Sequence, residues 1–409
     1  MKTDKFAALR YRDFKILWIA LFISNIGSQM QFTAINWHIF ILTNSALALG
    51  LIGLSRFVPI AIFSLIGGAV ADSHNRKKII LVTQTSLTIL SIFLSISTLD
   101  NTITPFLIYV ISALSAVALA FDAPPRQALI PTLVRKNHLA NAISLNVIMY
   151  QTSMVLGPAL AGIMIKQVGV GIIYLINAVS FLAVIAALLL MKTSGEIDNP
   201  SSKVSLKSIF DGIKFVKSRK IIWSAMILDF FSTFFASATA LTPIFAEKIL
   251  RVGSVGFGFL YAAPSIGAMI SGYVLAQMGK IKNQGKLLFA AISIYGISTI
   301  VFGFSTIFPL SFLALLFIGV GDGISTIIRN VIRQVNTPNR IRGRMSSVNM
   351  IFTVGGPQLG EFEAGVVAQL VGAPLSVALG GVGTLAVVGA VAFLVPALRN
   401  YRGNKILKE

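Results

Sequence analysis

The sequence contains no cysteine, only three histidines and few acidic residues. Among its 409 residues, Asp and Glu number 14, whereas Lys and Arg number 34. The absence of cysteine excludes disulfides, thiolate nucleophiles and cysteine metal ligands. His38, His74 and His138 are too scattered along the chain to suggest a zinc site. We therefore expect no metal and no cofactor, and a membrane enzyme is disfavoured because no group of catalytic side chains stands out.

Charge of either sign is scarce, and this scarcity decides the class of protein. Hydrophobic residues make up 55% of the chain and charged residues 12%, and the mean hydropathy is +0.83. A globule of this size would lack the polar side chains that cover a soluble surface. Uncharged stretches recur along the chain, and a helix needs about 20 apolar residues to cross a bilayer. We predict an all-α membrane protein with twelve spans, at about 16–42, 47–71, 79–98, 104–122, 141–165, 170–191, 221–246, 253–277, 287–305, 309–329, 345–369 and 375–397.

The basic residues are distributed unequally between the two sides of these spans. Of the 34 Lys and Arg residues, 30 fall in segments on the side of the amino terminus. The opposite loops hold only Lys166, Lys248 and Arg251, and Arg56 lies inside a span. Because cytoplasmic loops carry the excess of Lys and Arg, both termini are expected in the cytoplasm. The net charge of +20 thus reflects orientation, and nucleic acid is not an expected partner.

One long polar segment separates two apolar halves of similar length. Residues 192–220 are rich in Ser, Pro and charge and end in a basic amphipathic pattern. We expect an amino-terminal six-helix bundle over 1–191, a cytoplasmic linker with an amphipathic helix over 192–220, and a carboxy-terminal six-helix bundle over 221–409. A two-bundle arrangement places a substrate path between the halves, near the membrane midplane.

The loop after the second span has the strongest motif in the sequence. It reads Gly68-Ala-Val-Ala-Asp72-Ser73-His74-Asn75-Arg76-Lys77-Lys78. The loop resembles the signature G-x-x-x-D-[RK]-x-G-R-[RK] of the major facilitator superfamily. Gly68, Asp72, Arg76 and Lys77 are in register with it. We interpret these charges as a conformational latch against the other half, and simple anchoring by the basic residues is the alternative.

Two positions of the loop depart from the signature. Ser73 replaces a basic residue and Asn75 replaces Gly. Asn tolerates positive φ better than most residues do, so we expect Asn75 to preserve the turn in a left-handed conformation.

Other segments resemble a bacterial exporter subgroup of the same superfamily. The stretches 6–18 and 24–29 and the Arg-Gly-Arg segment 342–344 resemble the enterobactin exporters and macrolide efflux proteins, and the similarity covers the whole chain. The resemblance implies the major facilitator fold and secondary active export of a small amphipathic molecule, siderophore or drug-like, by proton antiport and alternating access. It also implies a monomer in the bacterial inner membrane, with the substrate, protons and membrane lipids as partners.

A second motif bears on the direction of transport. Gly157-Pro158-Ala-Leu-Ala-Gly162 resembles the end of the Gly-Pro motif of antiporters in this superfamily, although its upstream glycines are absent. No G-x-x-x-x-G-K-[ST] segment suggests ATP use. A lipid or lysolipid carrier of the same fold is the main alternative, and a non-transporting receptor is a further one.

Ionisable side chains inside spans are candidate functional residues because they are costly there. The candidates for proton coupling or the substrate path are Asp229, Glu361, Arg56, Asp322 and Arg329.

The sequence around these candidates suggests different roles. Asp229 lies in a Phe-rich segment whose apolar surroundings favour a neutral carboxyl group. Glu361 is preferred over Glu363 because two residues turn a helix by about 200°. Arg56 requires an acidic partner, which Asp229, Glu361 or Asp322 could supply.

Polar residues of the first span add further candidates. Asn25, Gln29 and Asn36 fall on one helical face and form a polar stripe suited to a solvent-filled path. Asp122 and Arg126, near the end of the fourth span, are expected to form a structural ion pair.

The predicted orientation can be tested with reporters. A reporter inserted at residue 202 and another fused after residue 409 should both give cytoplasmic signals, because 30 of the 34 basic residues lie on that side. Paired phosphatase and fluorescent-protein fusions provide the measurement. An external signal at either site contradicts the twelve-span topology.

Overall fold

The computed structural model describes residues 6–196, 214–279, 281–338 and 342–403. These residues form helices, with no strand among them, so the predicted all-α class is confirmed. Within the described ranges, nine helical segments are long and apolar enough to cross a membrane. The count of twelve spans stays a prediction. The long helices are α1 (Arg12–Thr43), α2 (Ala46–Ser73), α3 (Arg76–Leu99), α4 (Pro105–Leu133), α5 (Leu139–Leu190), α6 (Lys220–Phe235), α7 (Gly253–Gln277), α8 (Gln284–Phe304), α9 (Phe308–Val335), α10 (Arg342–Val371) and α11 (Ala373–Leu394).

Asparagine sets several of the turns between these helices. Asn44, Asn101 and Asn283 all have positive φ, between 55° and 60°. Asn is one of the few residues other than glycine that adopts this conformation readily. Thr104 caps α4, because its hydroxyl accepts a hydrogen bond from the Leu107 N–H at 3.3 Å. Short polar turns thus separate several of the apolar helices.

The helix α5 contains a break at Gly169. The sequence predicts two spans here, 141–165 and 170–191, and the helical residues Leu139–Leu190 form two helices that meet at a kink. Gly169 has φ 78° and ψ 171°, a conformation that is almost restricted to glycine. The break therefore falls between the two predicted spans and divides α5 into two arms.

The predicted span 221–246 corresponds to the candidate span Lys220–Ile249, but its helix is interrupted. The helix α6 ends at Phe235, and short 3-10, α and π segments continue to Ile249. The break exposes backbone groups in a buried region, where each must find a partner within the protein. The Tyr295 hydroxyl donates to the Ala236 carbonyl at 3.0 Å, so a side chain from α8 satisfies part of the interruption.

The chain divides into two compact units. Unit 1 comprises Met1–Leu42 and Val58–Val204, and unit 2 comprises Thr43–Phe57 and Ser205–Glu409. The first part of α2 therefore groups with the carboxy-terminal residues. The predicted bundle limits at 191 and 221 stay predictions.

Most of the predicted linker, residues 197–213, lies outside the described residues. Its end is described, and residues 214–218 are helical. Val216 is fully buried and packs with Ile222 and Met226, while the ammonium group of Lys217 lies 5.9 Å from the Trp223 ring centre. This end of the linker thus has one apolar face, as the amphipathic pattern predicts.

Small residues allow close helix contacts within each unit. In unit 1, α3 packs against α4 and α5. In unit 2, a Cβ atom at Gly319 of α9 would overlap the Pro264 carbonyl of α7, and one at Gly360 of α10 would overlap the Phe234 carbonyl of α6. Close packing of this kind stabilises helix association in lipid, where the hydrophobic effect between helices is weak.

The antiporter-like motif provides a test of this packing. A Cβ atom at Gly157 of α5 would overlap the Cβ of Gln29 in α1, and neither atom can rotate away. We expect Gly157→Ala to reduce stability by about 1–3 kcal/mol, because the helices must separate. Gly389→Ala is the matched control, since a Cβ there meets nothing within 4 Å. Thermal unfolding in detergent measures both, and equal melting temperatures would refute the close contact.

Candidate functional site

A polar cavity opens inside unit 1. Its volume is about 930 Å³, and its walls come from α1, α3, α4 and α5. The polar and ionisable residues that line it are Ser24, Asn25, Ser28, Gln29, Gln84, Asp122, Arg126, Gln127, Asn146, Tyr150 and Gln151. This volume lies within the range of small-molecule sites. The cavity is therefore the first candidate for a binding site.

A buried ion pair stands in the wall of this cavity. The Arg126 guanidinium contacts the Asp122 carboxylate one helical turn away, which confirms the predicted pair. The other oxygen of Asp122 accepts hydrogen bonds from the Thr83 hydroxyl at 2.8 Å and the Gln84 amide at 3.0 Å. The charge of Asp122 is thereby compensated from two helices, and the guanidinium is held in a fixed position.

Hydrogen-bonding capacity remains unused around Arg126. Within the described part of the chain, its Nε, the Gln84 Oε1 and the Asn146 Nδ2 are buried atoms without a hydrogen-bond partner. Buried polar atoms are nearly always paired in folded proteins. The three atoms belong to residues of α4, α3 and α5 that line the cavity, although the atoms themselves are covered. The sequence prediction treated the ion pair as structural only and missed Gln84, Asn146 and Tyr150.

The predicted polar stripe of α1 is divided by the structure. Asn25 and Gln29 line the cavity, as expected. Asn36 is not among the lining residues, and it is buried with its amide donating to the Phe32 carbonyl at 3.0 Å. The amide of Asn36 is therefore hydrogen-bonded within its own helix.

The signature loop makes its contacts within unit 1. Arg76 donates to the Ala128 carbonyl at 3.0 Å and Lys77 to the Met191 carbonyl at 2.9 Å. These carbonyls lie near the ends of α4 and α5, where backbone oxygens lack helical partners. Asp72 is exposed and forms no ion pair with another described residue. A Cβ atom at Gly68 would meet nothing within 4 Å.

The expectation for Asn75 is wrong. Its φ is −56°, and its side chain caps α3 by accepting a hydrogen bond from the Lys78 N–H at 3.1 Å. Asn is among the best capping residues. Asn75 therefore contributes its side-chain oxygen at this position, and its backbone is not left-handed.

The segment after α5 is held at both sides. Asn75 donates to the Ser194 carbonyl at 2.9 Å, and the Arg76 N–H donates to the Gly195 carbonyl at 3.0 Å. From α1, the Asp13 carboxylate accepts hydrogen bonds from the N–H groups of Lys192 and Thr193 and from the Thr193 hydroxyl, at 2.7–3.0 Å. Burial opposes ionisation of Asp13, but these bonds lower its pKa below the usual value.

The Gly-Pro motif is a packing element of unit 1. Gly157, Pro158 and Gly162 are all buried, and Gly157 lies against Gln29 at the edge of the cavity. The motif therefore fixes how closely α5 approaches the helix that supplies Asn25 and Gln29.

Unit 2 contains a second buried ion pair, which joins three predicted residues. Arg329 of α9 contacts the carboxylate of Asp229 in α6, and a second Arg329 nitrogen lies 3.8 Å from Asp322. The Ser325 and Thr326 hydroxyls accept further hydrogen bonds from the guanidinium at 3.0 and 2.9 Å. Asp229 therefore has a charged partner, which no part of its own helix supplies, because α9 brings a guanidinium to it.

The third charged group also lies in unit 2. A Cβ atom at Gly53 of α2 would lie only 2.8 Å from the Glu361 carboxylate of α10, so this acid is directed towards α2. Arg56, one turn after Gly53, interacts electrostatically with Glu361, and Tyr261 of α7 lies in the field of both. Of the three partners considered for Arg56, Glu361 is thus the one whose interaction is seen.

Unit 2 also contains a cluster of aromatic side chains. Phe230 packs face to edge on Phe231 and Phe352, with ring centres 5.3 and 5.8 Å apart, and stacks on Phe234 at 6.2 Å. A Cβ atom at Gly355 would lie 3.0 Å from the Phe57 ring. The residues that share small clefts with Asp229 include Met226, Ile292, Tyr295 and Ser325, and no phenylalanine is among them, so the predicted Phe-rich environment of its carboxylate stays a prediction.

Among the described residues, no group of three or more His, Asp or Glu side chains is arranged to hold a metal ion. The arrangement offers chemistry of another kind, namely a polar cavity with one guanidinium and two buried arginine–carboxylate interactions.

Curated proteins similar to this chain are transporters by name. The "staphyloferrin A transporter" of Staphylococcus aureus is 25% identical over 384 residues, which cover 93% of this chain and 96% of that protein. The "enterobactin exporter" of Citrobacter koseri is 23% identical over 393 residues, covering 95% and 93%. These names indicate transport and not catalysis.

Solved structures show the same fold. A bacterial homologue of the human lysosomal transporter Spinster superposes with a TM-score of 0.76 at 15% identity, covering 96% of this chain and 97% of the other. The nucleoside transporter NupG gives 0.74 at 12% identity, with coverage of 94% and 100%. The family model described as "transmembrane secretion effector" matches residues 3–406. The multi-pass helical chain therefore has the major facilitator fold and belongs to the transmembrane secretion effector family.

Proposed function

We propose that the protein is a secondary active exporter that moves a small anionic, amphipathic molecule of the siderophore type out of a bacterial cell. The observation that carries the proposal is the cavity of unit 1, with its fixed guanidinium and its amide-bearing lining residues. The names of two relatives, which specify staphyloferrin A and enterobactin, support this substrate class.

The walls of the cavity suit such a molecule. Arg126 is the one Lys or Arg among the lining residues, and its planar fork matches a carboxylate or a pair of phenolate oxygens. Asn25 and Gln29 provide amides opposite a set of apolar lining residues, which include Leu119 and Ile130. A ligand with one anionic end and an apolar body satisfies both surfaces.

The proposed setting is the inner membrane, with both termini in the cytoplasm. The unequal distribution of Lys and Arg supports this orientation. The substrate, protons and surrounding lipids are the proposed partners of a monomer that works by alternating access.

The proposed coupling uses the two arginine–carboxylate interactions of unit 2. A proton that binds Glu361 would remove the charge that attracts Arg56, and a proton on Asp229 would do the same for Arg329. A buried arginine without its acid is costly, so each protonation favours a rearrangement of the helices that carry the pair. Proton entry would thereby be linked to reorientation. Asp322, 3.8 Å from Arg329, is placed to receive that guanidinium when Asp229 is neutral.

The geometry of the signature loop restricts the proposed latch to one of its charged residues. Arg76 and Lys77 already bind carbonyl groups of unit 1. Asp72 is the exposed charge of the motif, so we assign the latch to Asp72 and a supporting role to the two basic residues.

Removal of the cavity guanidinium should weaken export. A deletion strain is compared with the same strain in which the protein is expressed again. Untargeted mass spectrometry should reveal, in the medium of the expressing strain, an anionic metabolite that the deletion strain retains in its cells. Arg126→Gln should lower export of that metabolite about 10- to 100-fold at low substrate concentration, because a charged hydrogen bond is lost. Arg135→Gln, an exposed arginine just after α4, is the control. Equal losses in both variants would contradict the assigned binding role, and an unchanged medium would contradict export.

Proton coupling is tested on α10. Glu361→Gln should abolish substrate-driven proton movement in everted vesicles, while substrate exchange down its own gradient persists, because glutamine cannot release a proton. Glu363→Gln removes an acid two residues away on a different face of the same helix and should retain coupling. A pH-sensitive dye reports the proton flux. Normal coupling in Glu361→Gln would make this acid structural.

A further inference from the structure

A second cavity of unit 1 has a different chemistry from the polar one. It encloses about 920 Å³ between the end of α2 and the facing sides of α3 and α4. Its apolar lining residues are Val70, Ile79, Val82, Ile89, Leu90, Leu114, Val117, Ala118 and Phe121. We name this cavity the lateral groove.

The lateral groove is polar at one end only. Ser73, His74, Asn75 and Lys78 line the end next to the signature loop. The other two polar lining residues, Thr83 and Ser86, have hydroxyls bound to partners within unit 1. A ligand of the groove must therefore have one polar group and a long apolar part.

The length of the groove matches one leaflet of a bilayer. From Lys78 to Leu90 the α3 axis rises about 18 Å at 1.5 Å per residue. Half the hydrocarbon thickness of a membrane is about 15 Å. An acyl chain that starts at the loop would thus follow the groove to about the centre of the membrane.

The charge at the polar end is positive and available. Arg76 and Lys77 are engaged with carbonyl groups, whereas the Lys78 side chain is exposed and forms no hydrogen bond or ion pair with another described residue. His74 contributes a ring whose Nδ1 contacts the Ser73 hydroxyl at 2.8 Å. Asp72 directly precedes Ser73 in the sequence, but it does not line the groove.

We propose that the lateral groove binds one anionic phospholipid of the cytoplasmic leaflet, with its phosphate at Lys78 and one acyl chain between α3 and α4. Cytoplasmic leaflets carry anionic lipids that attract basic residues near the membrane surface. This inference depends on the orientation of the chain but not on the exported substrate or on proton coupling.

The test uses native mass spectrometry of the purified full chain with phosphatidylglycerol or phosphatidylcholine of identical acyl chains. The wild type should retain one phosphatidylglycerol in preference to phosphatidylcholine. Lys78→Gln should weaken phosphatidylglycerol binding about five-fold, the effect of one basic residue near the membrane surface. The control is Lys286→Gln, because Lys286 is also exposed and is also the third residue of its helix, α8.

A second pair of variants tests the acyl-chain part without a change of charge. Ser86→Trp places a large ring inside the groove and should displace the bound lipid of either headgroup. Thr85→Trp places the same ring on exposed surface beside it, since Thr85 does not line the groove. Size-exclusion profiles verify that all four variants are folded.

Three results would overturn the proposal. They are equal retention of the two lipids by the wild type, equal effects of Lys78→Gln and Lys286→Gln, and equal effects of Ser86→Trp and Thr85→Trp. If Lys78→Gln weakens lipid binding but Ser86→Trp and Thr85→Trp have equal effects, the lipid is attracted to the membrane surface in general and does not occupy the groove.

Discussion

The need to satisfy every polar group without bulk water is the constraint on which the structure depends. Within a bilayer, an unpaired backbone group or charge costs several kcal/mol. Helices solve this problem for most of the backbone, and the exceptions here have identified partners. The interruption after α6 is supported by the Tyr295 hydroxyl, and the carbonyl of Pro357 accepts a hydrogen bond from Ser237 at 3.0 Å. Irregular backbone is therefore located where other helices supply donors.

The same constraint explains the pairing of the buried charges. Two arginines inside described helices contact an acid, as Arg126 contacts Asp122 and Arg329 contacts Asp229. Such pairs contribute little net stability, but loss of one partner is costly. In the proposed exporter, that asymmetry would allow a single proton to alter which arrangement is favoured.

Much of the fold follows from the sequence because the signal is simple. Uncharged runs of sufficient length give helices within a few residues of their limits, as for Gly253–Gln277, where prediction and structure coincide. The partners of Asp229 and Arg56 were beyond sequence reasoning, since they depend on how helices distant in the chain pack together. The role of Asn75 was misassigned because capping and left-handed turns favour the same residue type. The cavity around Arg126 was missed because its amides come from α1, α3 and α5, and no local pattern unites them.

The hydrogen bonds of Asp13 have a consequence for how the protein is made. Its partners Lys192 and Thr193 follow it by 179 and 180 residues. At 5–20 residues per second, a ribosome needs about 10–40 s to synthesise that stretch. During this interval α1 has already been synthesised, while its carboxylate lacks its native hydrogen-bond donors. The hydrogen bonds that tie the start of α1 to the segment after α5 therefore form only when residues 192 and 193 have left the ribosome.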